Sequence, residues 1–310
     1  MKPIVKHDPA APVRARLGID LGGTKIAGIV LTDEGQVRAE RRVAAPRSDY
    51  AASVRALRDL VLALEAQAGV QAHVGIGMPG SLSPATGLVQ NANSVWLNGR
   101  PLKQDVEAAL ARPVRFANDA NCFALSEALD GAAAGARSVF GVILGTGCGG
   151  GLVFAEQPID GPLGIGGEWG HNPLPWSQPD EHPGPRCWCG RHGCMETWVS
   201  GTGLERDHAL VTGQSLSATA IAAAATSGDQ AAQASLDRHA GRLARGLAHV
   251  VNLFDPYVIV LGGGLSNMAH LYQVLPALMH PHVFSDCPRL DIRPPRWGDA
   301  SGVRGAARLW

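Results

Sequence analysis

Residues 18–31 and 141–154 lie on one another without a gap, at an offset of 123 residues (141 − 18). Each reads as an apolar strand, a turn of Gly and Thr, and a second apolar strand: GIDLGGT running on to Leu31, and GVILGTG running on to Phe154. Two copies of so long a unit are too few for a solenoid, which stacks three or more short repeats, and they point to two similar half-molecules facing one another. Any two domains of alternating strands and helices share part of this pattern. The turns set it apart, because glycines without Cβ let the backbone approach a ligand closely and successive N–H groups can enclose a phosphate.

The rest of the chain fits an α/β architecture. Residues 16–21 alternate apolar and polar positions, run into Gly22, Gly23, Thr24 and Lys25, and continue as an apolar stretch over 26–31, which is a β-hairpin. Val54, Leu57, Val61 and Leu64 keep helical spacing; 74–77 reads as a short buried strand and 102–110 as a second helix. A stretch rich in Gly, Pro, His and Cys occupies 161–193, and helical pattern returns over 202–252. A buried strand at 257–261 stops at Gly262, Gly263 and Gly264; a helix is expected from about Ser266 and a closing helix over 302–310. No low-complexity linker separates the halves, so two domains sharing a cleft and a hinge are expected.

The chain's 310 residues suffice for about two domains, each with its own core. Lys and Arg together number 27, as do Asp and Glu, and this neutral balance argues against nucleic acid as the main partner. A hydrophobic fraction of 45% excludes a disordered chain. Charges, prolines or glycines interrupt every apolar run short of the roughly 20 residues that cross a bilayer, so no membrane span is expected. Residues 1–16 are charged and rich in Pro and Ala with no apolar core, which reads as a disordered lead-in rather than an export signal, and the expected compartment is the cytoplasm.

Four constellations carry chemistry. Asp20 precedes the Gly22–Lys25 turn, where Thr24 can donate a hydroxyl hydrogen bond, Lys25 can add charge and Asp20 can hold Mg²⁺ through water. A plain hairpin would use the same residues. Asn118, Asp119 and Asn121 follow the apolar 114–117 and precede a helical pattern, so Asp119 falls at a strand's carboxyl end, where α/β proteins place ligands, although an ordinary helix cap also fits. Three of the six cysteines, Cys187, Cys189 and Cys194, crowd together downstream of His171, a soft four-ligand set suited to a closed tetrahedral zinc site with no open position for a catalytic water. Glu168 and Glu196 lie just outside those ligands. Gly263 and Gly264 follow a Val/Ile strand, where glycines let a flat base lie on the backbone. Cys122 and Cys148 read as small core residues. Asn91, Asn93 and Asn98 make an amide-rich loop, and Asn93, Asn118, Asp119, Glu168, His171 and Glu196 together suit a ligand with many hydroxyls.

These motifs, in the order LGIDLGGTK, GIGMPG, NANSVWLNG, ANDAN, ILGTGCGGG, GEWGH, CWCGRHGCME and VLGGGLSN, resemble those of the ROK family of sugar kinases from about Leu17 to the C-terminus. The resemblance implies the two-domain actin-like, ribonuclease H-like ATPase fold with an interdomain cleft. It implies a small α/β domain of 17–118 plus 299–310 and a large one of 119–298 bearing the zinc loop. It further implies Asp119 as catalytic base, with Asn118, Glu168, His171 and Glu196 on sugar hydroxyls. Zinc would sit on His171, Cys187, Cys189 and Cys194. ATP, with Mg²⁺, would be lined by Asp20, Gly22, Gly23, Thr24, Lys25, Gly145, Thr146, Gly147, Gly263 and Gly264. The expected partners are a free hexose, ATP and a second copy of the chain in a homodimer. Within the family the motifs look most like the fructokinase and mannokinase branch, so fructose first and mannose second are expected, phosphorylated at the 6-hydroxyl. N-acetylglucosamine kinases and glucokinases are the next choices, and a non-catalytic sugar-sensing regulator is the alternative of a different class.

Overall fold

The structure, a computed structural model, describes residues 15–310. The expected lead-in over 1–16 lies outside the described residues except at its end, where Ala15 is buried and Arg16 opens the first strand. The first half runs β1 (Arg16–Leu21), β2 (Lys25–Leu31), β3 (Val37–Ala44), α1 (Tyr50–Ala68), β4 (His73–Met78), the short pair β5 (Ser81–Leu82) and β6 (Val89–Gln90), α2 (Leu102–Leu110) and β7 (Val114–Asn118). After α3 (Asp119–Leu129) come β8 (Ser138–Leu144), β9 (Cys148–Phe154), β10 (Gln157–Pro158), α4 (Glu196–Val199), α5 (Gly201–Thr212), α6 (Ala218–Thr226) and α7 (Gln230–Phe254). The chain closes with β11 (Val258–Gly262), α8 (Ala269–Met279), β12 (Ile292–Arg293) and α9 (Ser301–Ala307).

The internal repeat is real at the level of topology. One five-stranded sheet has the order β3-β2-β1-β4-β7 and the other the order β10-β9-β8-β11-β12. In each, the first three strands of the unit form an antiparallel meander and the last two add in parallel. The offset of 123 carries Lys25–Leu31 onto Cys148–Phe154 residue for residue. The hairpin registers nevertheless differ by one position. Leu21 faces Ile26 across a turn of four residues, whereas Leu144 faces Cys148 across a turn of three.

Local sequence explains the flanking helices. α1 extends beyond the expected 54–64 because Asp49 accepts the Ala52 N–H at its start and Gly69 ends it in the left-handed conformation. Leu57, Leu60, Val61 and Leu64 give it an apolar face that packs into the core of the first sheet. The helix expected near Ser266 starts at Ala269, after a short 3₁₀ turn.

α3 is buried on nearly every side because it packs on β8 and β9 and also against α9, which lies on β1 and β4 of the other sheet. At the crossing the two helix backbones nearly touch: a Cβ at Gly305 would stand 1.7 Å from the Cys122 carbonyl oxygen, which leaves glycine as the fitting residue. The fully buried Glu127 locks this crossing by accepting hydrogen bonds from Ser301 Oγ (2.7 Å), Arg296 N (3.0 Å) and Ala132 N (2.7 Å). None of the described helices is long and apolar enough to cross a membrane.

Candidate active site

The parallel strands β4 and β7 end side by side, and the chain leaves β7 directly into α3. Asn118 caps that helix: its Oδ1 accepts from Ala120 N (2.8 Å) and Asn121 N (3.3 Å), while its Nδ2 donates to the Gly80 carbonyl (3.0 Å). Both polar ends of the Asn118 side chain are therefore engaged within the protein, and its neighbour Asp119 is held at the helix start. Asp119 lines a cavity of about 200 Å³ together with Asn91, Asn93, Glu168, His171 and Glu196. Burial raises its pKa to about 7, with the nearby charges of Asp20 and Glu168 adding to the rise and the Ala120 N–H opposing it. Glu168 is raised as well, chiefly by burial, with His171 lowering and Glu196 raising it.

The cavity's second wall is the segment from Glu168 to Glu196. Short bridges of Pro173 with Cys194 and of Arg186 with His192 fold it into a compact loop. His171 Nδ1 and Cys187 Sγ stand 3.6 Å apart, as do the Cys189 and Cys194 sulfurs, and all four donor atoms lie within 4.8 Å of one another. Ligands at about 2.3 Å from a tetrahedral zinc are roughly 3.7 Å from each other, so donor types and spacing both fit that ion. With Nδ1 turned to the cysteines, Nε2 is the nitrogen His171 has left for the cavity it lines.

Glu196 opens α4 and is fixed at both oxygens. Oε2 accepts from Cys148 N (3.0 Å) and Oε1 from Trp188 Nε1 (2.7 Å). Gly147 permits this approach, since a Cβ there would lie 2.5 Å from Oε2. On α7, His239 hydrogen-bonds the Val199 carbonyl at the end of α4 (2.9 Å). Arg242 and Arg245 grip Glu181 of the loop (Nε to Oε1 2.9 Å; Nη2 to Oε1 2.7 Å), and Arg242 also bonds Asp207 of α5 (2.7 Å). These arginines and Glu181 are buried, and the pairing holds the Glu181 pKa down at about 2 against its own desolvation.

A larger cavity, about 800 Å³, adjoins the first at the β8–β9 turn: Gly145 and Thr146 line both. Its walls include Thr202, Thr219, Gln233, Gly264, Asn267 and His270. The turn is tied to the start of α5 by Gly201 N to the Gly145 carbonyl (2.8 Å) and by Thr202 Oγ1 to the Thr146 carbonyl (2.9 Å).

Of the residues expected at a site, Asn93, Asn118, Asp119, Glu168, His171, Glu196, Gly145, Thr146 and Gly147 line the small cavity and Gly264 the large one. Asp20, Gly22, Gly23, Thr24, Lys25 and Gly263 line neither. Asp20 acts on the site through its charge, and the exposed β1–β2 turn comes near it at Gly23, next to Ser94 of the amide loop. Asn98 serves that loop structurally, pinning Ala92 through both ends of its amide (2.9 Å each). Sequence reasoning missed Trp188, Glu181, Arg242, Arg245 and most of the large cavity's lining. Of these, only Trp188 had a local signal, its place between two cysteines.

Comparison with known proteins gives the family and the fold. The family model described as "ROK family" matches residues 16–310. A curated N-acetyl-D-glucosamine kinase of Pectobacterium atrosepticum is 42% identical over 296 residues, covering 94% of this chain and 97% of its own. One from Pasteurella multocida is 39% identical over 300 residues, covering 95% and 99%. Among solved structures, a ROK hexokinase from Thermus thermophilus superposes with a TM-score of 0.84 at 33% identity, covering 94% of this chain and 96% of that one. A ROK family glucokinase from Streptomyces griseus, in complex with glucose and AMPPNP, gives 0.77 at 29%, covering 95% and 98%.

Proposed function

Because the chain belongs to the ROK family, whose members compared above are sugar kinases, we propose that it transfers the γ-phosphoryl group of ATP to the 6-hydroxyl of a free hexose, with N-acetylglucosamine preferred. The observation that carries this reading is the small cavity: a carboxylate with a raised pKa among amides, carboxylates and an imidazole, with no lysine or arginine in the lining. Such a lining offers paired donors and acceptors to many hydroxyls and nothing to hold a sugar already phosphorylated.

The preference for N-acetylglucosamine replaces the expectation of fructose and then mannose, because relatives of 39–42% identity carry the N-acetylglucosamine kinase name. The motifs behind that expectation are poorly placed to separate the branches. Asn98 braces a loop, and Glu168 and His171 would meet hydroxyls that most hexoses share. Selection at one ring carbon needs contacts those motifs do not encode.

In this reading the sugar binds between the lobes 17–118 with 299–310 and 119–298, and closure excludes water. Asp119 accepts the proton of the attacking hydroxyl, and a pKa of about 7 suits a base that must both ionise and attract a proton near neutrality. Glu168, His171, Glu196 and Asn93 orient the sugar. ATP occupies the large cavity, with its phosphates directed to the Gly145–Gly147 turn and toward the N-terminus of α5, where the helix dipole favours negative charge. Asp20, whose charge reaches Asp119, is the hard oxygen donor that would hold Mg²⁺ through water, and that ion would neutralise phosphate charge. Zinc on His171, Cys187, Cys189 and Cys194 has all its positions filled by protein, so its contribution is to hold the loop that carries Glu168 and Glu196. Phosphorus NMR of the product tests the reaction: the new resonance should couple to the two C6 protons of the sugar. Coupling to the anomeric proton would overturn the site of transfer.

A further inference from the structure

Trp188 is an anomaly in a loop built for a metal. It stands between the ligands Cys187 and Cys189, is 60% exposed, and lines the small cavity beside Glu168 and His171. Among the residues lining that cavity it is the only aromatic side chain apart from the imidazole. Its ring meets His171 edge-to-face at 4.9 Å, and its N–H is spent on Glu196 Oε1 at 2.7 Å. The indole is therefore held in orientation by two groups of the sugar wall while more than half of its surface stays exposed. An apolar surface left in water beside the cavity forgoes free energy of burial that an apolar group of a ligand would recover.

We propose that Trp188 is the residue that reads the substituent at C2 of the sugar: its exposed face receives the methyl of a 2-acetamido group, and its N–H keeps Glu196 aimed at the ring hydroxyls. This deepens the N-acetylglucosamine reading and rests on it. In a pyranose, C2 lies across the ring from C5, which carries C6. A sugar with its 6-hydroxyl at Asp119 thus turns its C2 substituent away from α3, and the loop bearing His171, Trp188 and Glu196 supplies the wall there. An acetamido group presents an amide, which the surrounding carboxylates and amides can pair, and a methyl, which they cannot. The other lining residues with apolar surface are small or lie at the strand end beside the nucleotide cavity, as Ile143 does. An indole held rigid offers its contact area with little ordering cost.

The test compares kcat/KM for N-acetylglucosamine and for glucose in wild type, Trp188→Phe and Trp188→Ala, each with saturating ATP. The ratio of the two sugars is the readout, because any loss of folded or metal-loaded enzyme lowers both numbers alike and cancels. Trp188→Phe keeps an aromatic face and removes the N–H, so both values should fall while the ratio stays within about threefold of wild type. Trp188→Ala should cut the ratio by roughly tenfold or more, the discrimination expected for a methyl-sized contact. If wild type prefers N-acetylglucosamine and Trp188→Ala leaves the ratio unchanged, Trp188 serves only to position Glu196 and the proposal fails alone. If wild type itself prefers glucose, the substrate reading fails and takes this proposal with it.

Discussion

Asp119 ionises late because burial, the charge of Asp20 and the charge of Glu168 act on it together, against two opposing backbone N–H groups, those of Ala120 and of Asp119 itself. Its kcat/KM should therefore rise with pH through about 7, since the base works only when deprotonated. Asp119→Asn should lower kcat by on the order of 10²–10⁴ with sugar binding nearly intact. The same substitution should raise the melting temperature at pH 8. A carboxyl whose pKa rises on folding binds more protons folded than unfolded between about 3.8 and 7, so its contribution to stability falls as pH climbs through that window. An Asn variant that kept a tenth of wild-type turnover would remove Asp119 as the base. The position of Asp119 was legible in sequence, because a strand running into a capped helix is a local pattern. Its pKa was not, because Asp20 and Glu168 reach it from distant parts of the chain.

The Cys/His loop shows the same division among elements. Its four donors were readable from residue type, and their 3.6 Å spacings suit one tetrahedral ion. Metal analysis of protein purified without chelator should find one zinc per chain, and chelation should lower the melting temperature and raise the sugar KM together. The second anchor was invisible in sequence: Glu181 meets Arg242 and Arg245 from a helix some 60 residues away, and nothing local marks the pairing. Glu181→Gln takes the carboxylate from Arg245 and leaves Arg242 paired with Asp207 alone, and should cost about 3 kcal/mol in urea unfolding. In wild type this pair's contribution should be intact above about pH 4.5 and disappear as pH falls toward about 2, because the folded pKa is depressed. Loss of no more than the scatter of a surface substitution would show the pair to be idle.

At the scale of the whole molecule, the sequence repeat pointed to two similar half-molecules, which are built on two sheets of matching strand order, and the offset aligned β2 with β9 residue for residue. It did not foretell the one-residue register slip, which the different turn lengths impose. Nor did it reveal the contact of α3 with α9 through Gly305 and Glu127, which depends on two segments far apart in the chain. That crossing brings the first sheet's loops and the Cys/His loop to one cavity beside the 800 Å³ cavity, the arrangement a sugar and ATP need for direct transfer. The most direct measurement is a panel of kcat/KM values at saturating ATP for N-acetylglucosamine, glucose, fructose and mannose, following ADP release. The expected result is sugar-dependent turnover with N-acetylglucosamine ahead of fructose and mannose by at least about tenfold, a margin within reach of a few paired contacts. Turnover of fructose or mannose above that of N-acetylglucosamine would contradict the substrate, and no turnover with any of the four would contradict the hexose kinase.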